Sequence, residues 1–180
     1  MAPDEREAIV AQVDRLGPVQ SHHTVLEVGS CNVNGIVRDL FDAGQYVGVD
    51  RRAGGNVDVV VNANDMPEMY AEYFDWVLCN SMLEHDRHFW RTVAEMKRVL
   101  RPGGVLIIGV PTLGYGHHGT QGGPGDPDDL GIYDYYRFTR DAYHHYLLHR
   151  YLEVEILEVN RDGSPRLCGA GVKPKERDLD

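Results

Sequence analysis

Short, continuous apolar runs recur along the chain, separated by polar stretches rich in glycine and asparagine. The runs at Thr24–Val28, Gln45–Val49, Val57–Val61, Asp75–Cys79 and Val105–Val110 have the length of strands, not helices. An unbroken apolar strand suits the middle of a parallel sheet covered on both faces. Between the runs the period lengthens. Ile9, Val13 and Leu16 share one face of a helix over residues 4–16, with Asp4 as its cap and Gly17-Pro18 as its stop. Ile36, Val37, Leu40 and Phe41 predict a helix over about 35–42, ended by Gly44. Phe89, Val93, Met96 and Leu100 predict another over about 87–100, followed by the turn Arg101-Pro102-Gly103-Gly104. A short helix is expected after Asn62–Pro67, and a longer one from Thr139 to about Arg150. Two runs, 152–160 and 166–173, flank Gly163-Ser164-Pro165 and read as a terminal hairpin.

Five strands with mostly helical crossovers, then a helix and a hairpin, predict an open α/β sheet. The link from strand two to strand three is shorter than the dozen or so residues of a parallel crossover. Ligands of such sheets bind beyond the carboxyl ends of the strands. Those ends carry Gly29–Asn34, Asp50-Arg51, Asn62–Asp65, Asn80–His85 and the segment after Pro111. The unusual polar residues therefore converge on one edge.

With 180 residues the chain is read as one domain: an N-terminal helical segment (1–20), the sheet, a long loop (111–138) and a charged tail (174–180). The loop holds seven glycines and three prolines, and a connection of that length in a compact domain points to function. A net charge of −10 argues against a binder of nucleic-acid backbones. No apolar run is long enough to span a bilayer, and MAPDEREAIV lacks the features of a secretory signal, so a cytoplasmic protein with no membrane partner is expected. Three widely spaced cysteines, Cys31, Cys79 and Cys168, read as free thiols.

The glycines of Gly29-Ser30-Cys31-Asn32-Val33-Asn34-Gly35 are too far apart for a dinucleotide fingerprint. Glu27 beside that turn would repel phosphate and suits a cationic group such as an amino-acid ammonium. Asp50, about twenty residues on, stands where a carboxylate accepts both hydroxyls of a ribose. Asn62–Asp65 would face an adenine edge, or serve as turn residues.

Taken in order, VLEVGS…NG, YVGVD, VDVVVNANDMP, FDWVLCNSMLEHD, EMKRVLRPGGVLIIGVP and DYYRFT resemble the class I S-adenosylmethionine-dependent methyltransferases, in particular the methyltransferase-11-like group. The resemblance covers about residues 24–142. It implies an open, doubly wound, Rossmann-like sheet of seven strands, mostly parallel with the last strand antiparallel. It also implies S-adenosylmethionine as cofactor. Glu27, Gly29, Ser30 and Gly35 would lie along its methionine part, Asp50 at the ribose and Arg51 beside the adenine. Asn62, Ala63 and Asn64 would follow, and Asn80 and Ser81 would close over the sulfonium. The chain departs from the family in its glycine turn and in lacking the helix between strands two and three.

Methyl transfer is an in-line displacement at an already activated carbon, so positioning carries most of it, and a base is needed only for an acceptor that holds its proton. His85, His117 and His118 are the candidate bases; capping or packing competes for His85, and a solvated loop for the other two. His85, His117, Tyr135, Tyr136 and Arg137 are the candidate substrate contacts, with loop packing the competing reading for the last three. No histidine or cysteine set shows metal-ligand spacing, so no metal is expected. The expected activity is methylation of a small molecule, with oxygen preferred over nitrogen. The competing functions are a nicotinamide-dependent oxidoreductase and a non-catalytic cofactor-binding partner.

Overall fold

The computed structural model describes residues 3–32, 35–119, 133–160 and 163–178. Seven strands form one sheet: β1 (Thr24–Val28), β2 (Gln45–Asp50), β3 (Val59–Val60), β4 (Phe74–Asn80), β5 (Leu100–Pro111), β6 (Leu152–Val159) and β7 (Arg166–Val172). Their order across the sheet is β3-β2-β1-β4-β5-β7-β6. The first five pair in parallel, and β7 runs antiparallel to both β5 and β6. The chain reverses its winding between β1 and β4, which places the switch point at the carboxyl ends of those strands.

Side chains alternate across the strands and feed two apolar layers. On one face, α1 (Pro3–Leu16) sets Ala8, Ile9 and Val13 against Val25, Trp76, Leu78, Val105 and Ile107. On the other, α2 (Phe89–Val99) sets Val93, Met96 and Val99 against Leu26, Val28, Val77, Leu106 and Ile108. Burying one such side chain fully contributes about 1.5–3 kcal/mol, so both layers hold the strand ends firmly in place.

Several predicted elements differ. The helix over 35–42 is reduced to a single 3-10 turn, Arg38–Leu40. Gly35, Ile36 and Val37 are weak helix formers, and the segment is tied down sideways instead. Arg6 donates to Ile36 O and pairs with Asp39, while Arg38 pairs with Asp58 and donates to Tyr46 O. The residues after Pro67 form turns, not a helix. The short link between β2 and β3 proves sufficient because β3 is a two-residue bridge beside the last residues of β2, Val49↔Val59 and Asp50↔Val60. The chain need not travel back along the whole strand.

The predicted helix over 139–150 is α-helical only at α3 (Arg140–Ala142), then widens into a π-turn at Tyr143–Leu147. Tyr143 is fully buried and its hydroxyl shares its single proton between Ile108 O at 2.8 Å and Leu167 O at 3.0 Å. Anchoring that ring between β5 and β7 sets the local register. Among the described residues, no helix is long and apolar enough to cross a membrane.

Candidate functional site

The carboxyl ends of β1, β2 and β4 hold two neighbouring groups of polar residues. The first is built on β1 and β2. Gly29 and Ser30 both donate their backbone N–H to Val49 O, so the glycine turn is laced to the end of β2. Asp50 then holds the turn from its side chain. Its Oδ2 accepts from the Cys31 N–H at 3.2 Å and its Oδ1 from the Arg52 N–H at 2.9 Å. A carboxylate has about four acceptor positions, so a ribose diol still has lone pairs to meet.

Glu27 faces the α1 side and is buried. Its Oε2 accepts from the Tyr46 hydroxyl at 2.8 Å and from Asn56 Nδ2 at 2.7 Å. Burial pushes the Glu27 pKa up to about 7, against the lowering by those two hydrogen bonds. Asn56 reaches it because the link after β2 folds back over the turn. Asn32 N donates to Gly55 O, and Asn56 also donates to Ser30 O. This fold-back is possible only over glycine: a Cβ on Gly48 would collide with the Asn56 backbone oxygen. The 51–58 link thus folds over the glycine turn, while Val37 and Phe41 stay buried in the same cluster as Val25 and Trp76.

Of the remaining cofactor candidates, Arg51 and Gly35 are exposed beside this group, as is Asn62. Asn62 Oδ1 accepts from Asn64 N, and Asn64 Nδ2 donates to Asp86 and Thr92. Asn64 therefore pins the loop, with Ala63 packed against the core beside it, to the start of α2. Asn80 ends β4 with its amide oxygen in the space a side chain on Gly109 would fill. Ser81 takes φ 51° and donates its hydroxyl to Glu5 Oε1 at 2.8 Å; Glu5 in turn pairs with the buried Arg166 at 2.9 Å. The first turn of α1 is thus fastened to the end of β4.

The second group follows on the 3-10 turn Leu83–His85. Glu84 is 0% exposed, and neither carboxylate oxygen has a hydrogen-bond partner among the described residues. Nε2 of His85 and Nε2 of His118 each stand 3.7 Å from Glu84 Oε1, beyond hydrogen-bond range. Nδ1 of His85 meets Tyr133 O at 2.6 Å. Nδ1 of His118 faces Asp134 Oδ2 at 3.2 Å. Asp134 is paired with Arg137, whose guanidinium holds its carboxyl well below the usual range. Glu84, with Asp134 adding, raises the His118 pKa against burial. These contacts bring the two described ends of the 111–138 segment together, since Arg137 also donates to Tyr115 O and Gly116 O.

Of the histidines predicted as bases, His85 and His118 share this cluster, their rings 4.7 Å apart, while His117 is exposed. Tyr136 donates to Arg87 O and packs on Phe89, and Tyr135 donates its backbone N–H to Glu84 O and is 44% exposed. Residues 120–132 of the predicted loop lie outside the described residues. Sequence reasoning missed Tyr46, Asn56, Glu84 and Asp134. The signals for two of them were present: an acid directly before His85, and an acid three residues before Arg137.

Residues 26–108 match the family model described as a methyltransferase domain. No curated protein sequence matches the chain. Among solved structures, Haemonchus contortus phosphoethanolamine N-methyltransferase 2, in complex with phosphomonomethylethanolamine and S-adenosylhomocysteine, is 16% identical with a TM-score of 0.65. The match covers 94% of this chain and 52% of that one, so the chain spans about half the length of that structure. Burkholderia thailandensis 1,6-didemethyltoxoflavin-N1-methyltransferase, with its bound namesake and S-adenosylhomocysteine, is 18% identical with a TM-score of 0.71. That match covers 96% of this chain and 79% of the other.

Proposed function

We propose that this chain, whose residues 26–108 match a methyltransferase-domain model and whose fold is that of solved S-adenosylhomocysteine-bound methyltransferases, transfers a methyl group from S-adenosylmethionine to a hydroxyl of a small molecule. The observation that carries the reading is Asp50. It closes β2 beside the glycine turn, its carboxylate already oriented by the Cys31 and Arg52 N–H groups. That is the position and chemistry a ribose needs. Glu27, Gly29, Ser30 and Gly35 take the methionine end, Arg51 and residues 62–64 the adenine end, and Asn80 and Ser81 the sulfonium.

Oxygen is favoured over nitrogen by the group next to Asn80. An alkyl or phenolic hydroxyl must lose its proton to attack well, and Glu84, His85 and His118 supply a buried carboxylate and two imidazoles there. The hydroxyl gives up its proton beside this group to water, its oxygen forms the new O–CH3 bond, and the S–CH3 electron pair returns to sulfur as S-adenosylhomocysteine. Both relatives bind small-molecule acceptors, which supports a small acceptor here.

Isothermal titration tests the reading. S-adenosylhomocysteine is expected to bind one-to-one and NAD not at all. Asp50→Ala should weaken S-adenosylhomocysteine by at least about tenfold, because a desolvated ribose loses a charged acceptor worth about 1.5–3 kcal/mol. Binding of NAD in place of S-adenosylhomocysteine would replace this function with the nicotinamide one.

A further inference from the structure

We infer that Glu84, His85 and His118 form a binding site for a divalent transition-metal cation, which takes the acceptor hydroxyl as a further ligand. The inference deepens the proposed methyl transfer and rests on it for the acceptor, though not for the cation.

Three observations converge. The first is Glu84 itself, fully buried with neither oxygen hydrogen-bonded. A buried carboxylate without a partner is strongly unfavourable unless it is neutralised. The second is the arrangement of donors. Each of the three side chains offers a ligand atom within 4.8 Å of the other two, and Nε2 of both histidines is 3.7 Å from Glu84 Oε1. A tetrahedral ion with bonds of about 2.0–2.1 Å spaces its ligand atoms about 3.4 Å apart. Small side-chain movements close that difference.

The third observation is the support behind the imidazoles. His85 Nδ1 faces a backbone carbonyl, Tyr133 O, which can only accept. That nitrogen therefore carries the proton, and in the neutral ring Nε2 presents its lone pair to Glu84. His118 Nδ1 lies 3.2 Å from Asp134 Oδ2 without yet hydrogen-bonding it, close enough for a small ring rotation to make that bond and leave Nε2 free to ligate. Metal-bound histidines have this support, their second nitrogen donating to a carbonyl or carboxylate. Arg137 neutralises Asp134 from behind, so Asp134 orients the ring without adding net charge to the pocket.

Two imidazoles and one carboxylate suit zinc, iron(II), cobalt(II) or manganese(II) better than magnesium or calcium, which prefer oxygen ligands. Three protein ligands leave positions open for an outside oxygen. A hydroxyl bound there is acidified by the cation and passes its proton to water. Its oxygen then takes the methyl group, and the S–CH3 electron pair stays on sulfur.

The test uses the whole chain, stripped with a chelator and titrated with zinc chloride in a calorimeter, with S-adenosylhomocysteine titrated into the same preparations. Wild type is expected to bind one equivalent of zinc. Glu84→Gln and His118→Ala should each weaken zinc at least tenfold while S-adenosylhomocysteine binding persists; His118 is partly exposed, so its variant is expected to fold even if Glu84→Gln does not. His145→Ala, at an exposed histidine of the π-turn outside the cluster, should leave zinc binding unchanged. No stoichiometric zinc, or zinc that ignores His118→Ala and is lost in His145→Ala, overturns the cation site. Zinc bound as described without any binding of S-adenosylhomocysteine overturns the methyl-transfer reading and leaves the cation site standing.

Discussion

Glu27 and Glu84 sit at or just beyond the carboxyl ends of neighbouring strands, and both are buried, yet their surroundings are opposite. Glu27 is met by Tyr46 and Asn56, side chains carried by β2 and the link that follows it. Glu84 is met by two imidazole nitrogens that stop short of hydrogen-bonding it. One carboxylate is completed by hydrogen bonds of its own fold, and the other faces two imidazoles at 3.7 Å. Under the proposed function the two halves of the edge divide the work. The β1–β2 half is a closed, internally bonded frame on which a cofactor can lie, and the β4 half is an open donor set on which an acceptor can be activated.

The comparison can be broken at either end. The largest expected effect is at Glu27. Its folded pKa, near 7, lies above its ordinary value of 4.5, so the folded state holds this proton more tightly than the unfolded state. The contribution is complete below pH 4.5 and is lost as pH rises through 7, an amount of about 3 kcal/mol. Chemical denaturation across pH 5–8 should show wild type losing stability with rising pH, and Glu27→Gln should flatten that part of the profile. At Glu84 the stabilising agent comes from outside. Zinc at a hundredfold its dissociation constant should raise wild-type stability by about 2.7 kcal/mol, seen as a higher Tm, and at the same concentration should raise Glu84→Gln by no more than about 1.4 kcal/mol. Equal responses in both proteins would erase the contrast between the two glutamates.

A smaller effect is expected at Gly48. Gly48→Ala drives a Cβ into the Asn56 backbone oxygen and should cost about 2 kcal/mol by overpacking. It should weaken S-adenosylhomocysteine and spare zinc, because the 51–58 link belongs to one half alone. Loss of both ligands would mean that the halves are mechanically one. Smallest is Tyr46→Phe, worth about 1 kcal/mol at alkaline pH. Losing that hydroxyl should also move the Glu27 transition to higher pH, since the hydrogen bond favours the charged carboxylate.

Much of the frame was legible in the sequence. Val25–Val28, Trp76–Cys79 and Val105–Val110 read as buried strands because both of their faces are apolar, and the polar residues at their ends then had to share an edge. The reduction of the predicted helix over 35–42 to a 3-10 turn and the π-turn at 143–147 were not legible. Both depend on long-range ties, Arg6 to Asp39 and Tyr143 to β5 and β7, which local periodicity does not record. Within the site, Asp50 could be found from its distance along the chain to the glycine turn. Glu84 left only a weak signal, the acid directly before His85, because a carboxylate there reads as a solvated turn until the fold buries it. His118 needed the Asp134–Arg137 pair to bring its loop back against the 3-10 turn, a closure that separates these residues by more than a dozen positions in sequence.

The division of the edge into a cofactor half and an acceptor half is tested most directly by a crystal structure of the chain with S-adenosylhomocysteine bound. The ribose hydroxyls should meet the Asp50 carboxylate, with the sulfur beside Asn80 and facing the Glu84–His85–His118 group across a gap wide enough for one acceptor oxygen. A ribose held away from Asp50, or a sulfur turned away from those three side chains, would contradict it.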